Sequence, residues 1–179
     1  MSSLRNLFKF VRGKLVKDIL KNQHDIIALQ QLAPLATSYV PWSVFSLRPA
    51  AVVIILNEIM TNKCYSIVEC GAGISTLFIA RLLKQIGGQL ITLEHDIEWA
   101  GRVQEMLERE GLTDVVTIIT TELVHTDVAI DQSPWYDLGA VATAIGDHKI
   151  DLLIVDGPPA YDQNTKYARY PAVPVFRPY

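Results

Sequence analysis

Between residues 66 and 155 the chain repeats one pattern: a short, nearly continuous apolar run, then a turn, then a stretch with helical spacing. The apolar runs fall at 66–70, 89–94, 115–119 and 151–155, and helical patterns at 75–86 and 97–110 separate the first three. A loop-rich segment with a short helix around 137–146 leads to the fourth. A strand that is apolar on both faces must be covered on both faces, and a parallel sheet with helices packed on either side does this. The expectation is an α/β protein with a Rossmann-like parallel sheet.

Upstream, Leu4, Leu7, Phe8, Val11, Leu15 and Ile19 recur at three- and four-residue steps, which predicts an amphipathic helix over 3–22 with lysines and arginines opposite. Residues 24–33 continue helically as far as Pro34, and Pro41 and Pro49 frame the irregular stretch "YVPWSVFSLRP" before a second apolar helix at 50–60. The division expected is a helical N-terminal arm over 1–40 and a Rossmann-like domain over 41–179. Residues 1–21 hold six basic side chains against Asp18 alone, leaving 10 basic and 18 acidic residues in the remainder. A basic arm of this kind suits peripheral contact with an anionic membrane or docking on a partner. The alternative is a helix packed on its own domain with a solvated basic face.

The net charge of -3 gives no whole-chain reason to expect nucleic acid. The longest apolar run lies near "PAAVVIIL", too short to span a bilayer, and no small-residue cleavage site follows an apolar core at the N-terminus. Cys64 and Cys70 have no C-x-x-C spacing and suggest neither a disulfide framework nor a metal knuckle. His24, His125 and His148 show no ligand spacing either, so no metal is expected, and the location expected is cytoplasmic.

In open sheets of this kind ligands bind beyond the carboxyl ends of the strands. Four strand ends carry polar chemistry: "EC" before Gly71, "EHD" at 94–96, "TTE" at 120–122 and "DGPP" at 156–159. Gly71 and Gly73 permit a tight turn and close approach of a ligand, but Thr76 stands where a third glycine of the dinucleotide fingerprint would be. Glu69, two residues before Gly71, would oppose a bound pyrophosphate at a cost on the order of a few kcal/mol. A cationic ligand reverses that sign. Glu94 ends the second run about 20 residues beyond the glycines, where a carboxylate accepts the hydroxyls of a ribose.

Together "VECGAGISTLFIA", "LITLEHDIEWA" and "DLLIVDGPP" resemble the class I S-adenosylmethionine-dependent methyltransferases, particularly small-molecule O-methyltransferase-like members, over roughly residues 40–175. The resemblance implies S-adenosylmethionine as cofactor, with Glu69, Gly71 and Gly73 lining its methionine end and Glu94 binding ribose. His95 and Asp96 would flank the adenine, with Glu122 a further candidate on that side. Ser75 is either a ligand contact or a helix N-cap, and His95 with Asp96 is either a ligand pair or a cap for the following helix.

Methyl transfer from a sulfonium needs an aligned acceptor and, for an oxygen acceptor, loss of a proton. Asp156, at the end of the fourth run, is the candidate catalytic base or orienting group, or else it caps the turn made by Gly157, Pro158 and Pro159. Tyr161, Lys166, Arg169 and Tyr170 offer an acceptor pocket for anionic or polyol compounds, and Trp42 with Ser43, or Trp135 with Tyr136, are candidates to close over the cofactor or to anchor a minor core. The expected activity is O-methylation of a small hydroxylated or sugar-like acceptor. The alternatives are a non-catalytic or truncated cofactor-binding subunit and a nicotinamide oxidoreductase. The resemblance implies seven strands where four are visible, so the fourth is expected at an open edge, a candidate surface for a homodimer.

Overall fold

The computed structural model describes residues 2–179, with side chains from residue 13 onward, so the apolar face expected from Leu4, Leu7, Phe8 and Val11 lies outside the described side chains. Helix α1 (Ser2–Leu32) runs unbroken through both helical segments expected there and ends in a 3-10 turn at Ala33–Leu35, where Pro34 lacks the amide to continue it. Helix α1 reaches the core through Ala28 and Leu32, while Leu15, Ile19 and Ile26 are exposed. Helix α2 (Pro49–Asn62) begins with proline in its first turn, where the missing amide costs nothing, and packs against α1.

Strands β1 (Ser66–Cys70), β2 (Gln89–Glu94), β3 (Val116–Thr120) and β6 (Leu152–Val155) form the parallel sheet, in the order β3-β2-β1-β6. Helices α3 (Ile74–Ile86), α4 (Ile97–Arg109) and α5 (Leu138–Ile145) fall in the connections between these strands. The chain steps from β1 through β2 to β3 on one side and returns on the other side of β1 as β6, so the order reverses between β1 and β6. Ligand crevices open at such reversals. Strand β6 pairs with β1 alone and stands at the sheet's edge.

Two cores follow from the period-two alternation of β1. Ile67 points into a core built with α2, α3 and α4, whereas Val68 and Cys70 point into a second core with Trp135, Tyr136, Val141, Ile145 and Phe176. The same parity turns Glu69 toward the α3 face. The segment read as loop-rich contains a two-stranded antiparallel ribbon, β4 (Leu123–Val124) with β5 (Trp135–Tyr136). Strands of two residues carry no period for a sequence reading to detect. A last short helix, α6 (Ala172–Phe176), places Phe176 against Trp135, with ring centroids 6.1 Å apart. Among the described residues no helix is long and apolar enough to cross a membrane.

Candidate active site

At the carboxyl ends of β1, β2 and β6 lies a cavity of about 430 Å³, within the range of small-molecule sites. Its floor is the glycine turn Gly71–Gly73 with the first turn of α3. Glu94, His95, Asp96, Glu98, Trp99 and Arg102 form one wall, and Asp156 to Pro159 with Tyr161 form the other. Phe45, Ser46 and Leu47 approach from the segment before α2. Phe45 and Tyr161 meet at ring centroids 6.2 Å apart.

Glu94 organises this floor. Its Oε2 accepts the amide of Ala72 at 3.0 Å, and its Oε1 accepts the amides of His95 and Asp96 at 2.7 and 2.8 Å. Burial acts to raise its pKa, but the His95 side chain and these three amides outweigh it and hold the carboxyl below the ordinary range. Oε2 retains a lone pair for a ligand hydroxyl. His95 lies with Nδ1 2.8 Å from Glu94 Oε1, and that carboxylate raises the imidazole pKa against the opposing effect of burial. Asp96 is the N-cap of α4, its Oδ1 accepting the Trp99 amide at 2.9 Å, and it also lines the cavity.

Glu69 is placed differently from the expectation. Because its parity on β1 aims it at α3, the carboxylate is wholly buried beneath the turn and does not line the cavity. Ser75 Oγ donates to its Oε1, and Thr76 and Thr92 donate to its Oε2, at 2.5, 2.5 and 3.1 Å. Burial pushes its pKa up to about 7 despite these bonds. Ser75, whose residue does line the cavity, stands between Glu69 and any ligand, so a direct contact from Glu69 to a bound ammonium has no route in this geometry. Ser75 is not the N-cap; that position is Gly73. Thr76, at the missing third glycine, accepts the Gly73 amide at 2.8 Å.

Glu122 is also displaced from its expected place. The chain turns into the β4–β5 ribbon there, leaving the side chain exposed and outside the cavity lining, while its carbonyl accepts the amide of Asp137. Lys166 lies 3.7 Å from Asp131 and over the ring of Tyr167, and does not line the cavity. Trp42 packs against the first core and stacks at 6.0 Å on Phe78, and Trp135 is buried in the second.

Asp156 does line the cavity. Burial raises its pKa, and Arg169, with Nη1 3.4 Å from Oδ1, opposes the rise. Arg169 also donates from Nε to the carbonyl of Pro158 at 3.1 Å, tying the chain after β6 back onto the strand end.

Three features escaped the sequence reading. Trp99 donates its indole N–H to the carbonyl of Ala72 at 2.8 Å, pinning the residue whose amide Glu94 accepts. A tryptophan in the first turn of the helix after β2 was the available signal. Gly71, at φ +96°, presses on the turn after β6: a Cβ there would lie 2.8 Å from Gly157 N. Arg102 and Leu47 reach the cavity only through tertiary packing.

The residues present fit a nucleoside cofactor with a cationic centre. A Cβ at Gly73 would meet nothing within 4 Å, so the space above it belongs to the cavity. The Tyr136 hydroxyl in the wall is buried without a hydrogen-bond partner among the described residues. Among the described residues that line the cavity, Glu94, Asp96, Glu98 and Asp156 outnumber the one permanent cation, Arg102, and with Arg169 paired to Asp156 from outside the lining the balance still opposes a pyrophosphate. Fold and site together define a class I S-adenosylmethionine-dependent methyltransferase domain, with S-adenosylmethionine as its cofactor.

The comparisons agree. The family described as a methyltransferase domain matches residues 68–173, more than half of the chain, and the chain belongs to it. A methyltransferase of Podospora anserina, solved with S-adenosylhomocysteine bound, is similar with a TM-score of 0.52 at 17% identity, over 78% of this chain and 53% of its own. A Staphylococcus aureus protein described as a caffeoyl-CoA O-methyltransferase is similar with a TM-score of 0.56 at 15% identity, over 92% of this chain and 68% of its own. The chain thus spans about half to two thirds of the length of these structures. No curated protein is similar enough in sequence to count as a relative.

Proposed function

We propose that this chain is a methyltransferase that O-methylates a small hydroxylated or sugar-like acceptor in the reducing cytoplasm, where its free, buried Cys64 and Cys70 stay reduced. One observation carries the reading: Glu94 and Asp156, on strands flanking β1 on opposite sides, line the same cavity across the glycine turn. Glu94 is fixed by three amides with one oxygen able to take a ribose hydroxyl, which supports a nucleoside on the β2 side. Asp156 then stands on the β6 side, where the acceptor must enter.

When bound, S-adenosylmethionine supplies a methyl group on a sulfonium, open to in-line attack by an acceptor oxygen. The chain's own part is positioning and proton removal. Asp156 accepts the proton of the acceptor hydroxyl at its carboxylate. Arg169 holds that carboxylate in place and favours its ionised form against burial. Phe45 and Tyr161 border the cavity as largely exposed side chains, with ring centroids 6.2 Å apart.

The test is transfer of radiolabelled methyl from S-adenosylmethionine to a panel of phenols and sugars, with Asp156→Asn alongside. The reading expects transfer that Asp156→Asn abolishes while S-adenosylhomocysteine binding persists. Binding without transfer to any member would favour a non-catalytic cofactor-binding subunit. Tighter binding of NAD than of S-adenosylhomocysteine would contradict the reading altogether.

A further inference from the structure

The β4–β5 ribbon delivers Tyr136 beneath the point where the turns after β1 and β6 meet. Its ring packs edge-on against Trp135, with centroids 5.4 Å apart, in the core that also holds Val68 and Cys70. Its hydroxyl is buried without a hydrogen-bond partner among the described residues, although the residue lines the cavity. A Cβ at Gly157 would lie 2.6 Å from that oxygen, so glycine at 157 is what gives the hydroxyl its place. A buried hydroxyl left unpaired costs about 1–3 kcal/mol, and a site that carries this cost at a cavity wall is suited to a partner that arrives with the ligand. Burial, reinforced by Cys70, Glu94 and Glu69 and opposed by Arg169, pushes the phenol pKa far above its ordinary value, so the proton stays on and the group donates.

The charge of the cavity narrows what it donates to. An amino-acid end carries an ammonium, which the acidic lining attracts, and a carboxylate, which that lining repels. Among the described residues no lysine lines the cavity, and Arg102 is on the opposite wall, on α4. Arg169 is outside the lining and already bonded to Asp156 and to the Pro158 carbonyl, so within the lining a carboxylate near Gly71 and Gly157 is left with neutral donors. Glu94, the candidate ribose group, ends β2, whereas Tyr136 stands against Gly157 at the end of β6, toward the other end of the bound molecule.

Resting on the proposed function, we propose that the Tyr136 hydroxyl donates a hydrogen bond to the carboxylate of the amino-acid end of bound S-adenosylmethionine.

The experiment compares two ligands that share the thioether nucleoside and differ in the amino-acid end, S-adenosylhomocysteine and 5′-methylthioadenosine. Both are titrated calorimetrically into the wild-type chain, Tyr136→Phe and Trp135→Phe. Trp135 serves as control because its indole N–H is likewise buried without a partner while the residue does not line the cavity. Tyr136→Phe is expected to weaken S-adenosylhomocysteine about tenfold or more, the loss of a hydrogen bond to a charged group, and to leave methylthioadenosine within about twofold. Its ligand-free melting temperature should not fall, and Trp135→Phe, which loosens the packing around Tyr136 but keeps its hydroxyl, should change the two affinities by the same factor. Equal weakening of both ligands by Tyr136→Phe, or no weakening of either, would overturn the assignment. Failure of the wild-type chain to bind S-adenosylhomocysteine would overturn the function itself, and the assignment with it.

Discussion

The carboxylate of Glu94 accepts the backbone amide of Ala72 at 3.0 Å, so the residue expected to hold the ribose also holds the glycine turn on which the ligand rests. On the other side of the same residue Trp99 takes the Ala72 carbonyl. Binding and architecture therefore share one carboxylate. Glu94→Ala should lose stability on the order of 3 kcal/mol, because three backbone amides lose their acceptor, and should weaken S-adenosylhomocysteine at least about tenfold. Glu94→Gln keeps one acceptor oxygen and should lose less stability than affinity. Chemical denaturation and calorimetry on the two variants check this.

Two glycines of the site do different work, and alanine separates them. At Gly157 a Cβ would lie 2.8 Å from Gly71 Cα and 2.6 Å from the Tyr136 hydroxyl, so Gly157→Ala should destabilise the fold by about 1–3 kcal/mol. At Gly73 a Cβ meets nothing within 4 Å and the backbone, at φ 178°, is extended. Gly73→Ala should melt like the wild type yet bind S-adenosylhomocysteine more weakly, since its methyl group enters the ligand's space. Thermal melts with and without ligand distinguish the two.

Glu69 makes stability depend on pH in the direction opposite to a paired carboxylate. Its pKa rises from an ordinary 4.5 to about 7 on folding. Between those values the folded chain binds more protons than the unfolded one, so stability falls as pH rises. The contribution is present in full below about pH 4.5 and is lost through pH 7, on the order of 3 kcal/mol in all. Glu69→Gln should remove this slope and be the more stable protein at pH 8. Urea denaturation at pH 5 and pH 8 measures it, and an unchanged slope in the variant would show that another group is responsible.

Asp156 should set the acid limb of any transfer reaction. Burial raises its pKa, so kcat/KM should fall with decreasing pH at a value above the ordinary aspartate range near 3.9. Arg169 opposes that rise, so Arg169→Gln should move the limb to higher pH, and Arg169→Lys should restore part of the shift. A limb unmoved by Arg169→Gln would separate the reacting proton from Asp156.

Much of the architecture was legible in the sequence because it is periodic. The four apolar runs became β1, β2, β3 and β6 within a residue or so, and the helices between them fell where the spacing put them. That Glu94 and Asp156 line the cavity was legible because in such sheets the crevice opens at the strand ends where the order reverses. Glu69 was legible as a strand-end carboxylate, but its direction depends on which face of β1 meets α3, and an apolar run does not reveal that face. Glu122 was misplaced by a ribbon too short to leave a pattern. Trp99, Gly157 and Tyr136 matter through contacts between elements distant in sequence, such as the 2.8 Å bond from Trp99 to Ala72. The preference for a cation stands, on carboxylates other than the one that first suggested it.

The most direct test of the central claim is calorimetric titration of the chain with S-adenosylhomocysteine and with NAD, repeated on Glu94→Gln. The account predicts one-site binding of S-adenosylhomocysteine, weakened at least about tenfold by the substitution, and no comparable binding of NAD. Absence of heat and of any thermal shift with S-adenosylhomocysteine, or tighter binding of NAD, would contradict it.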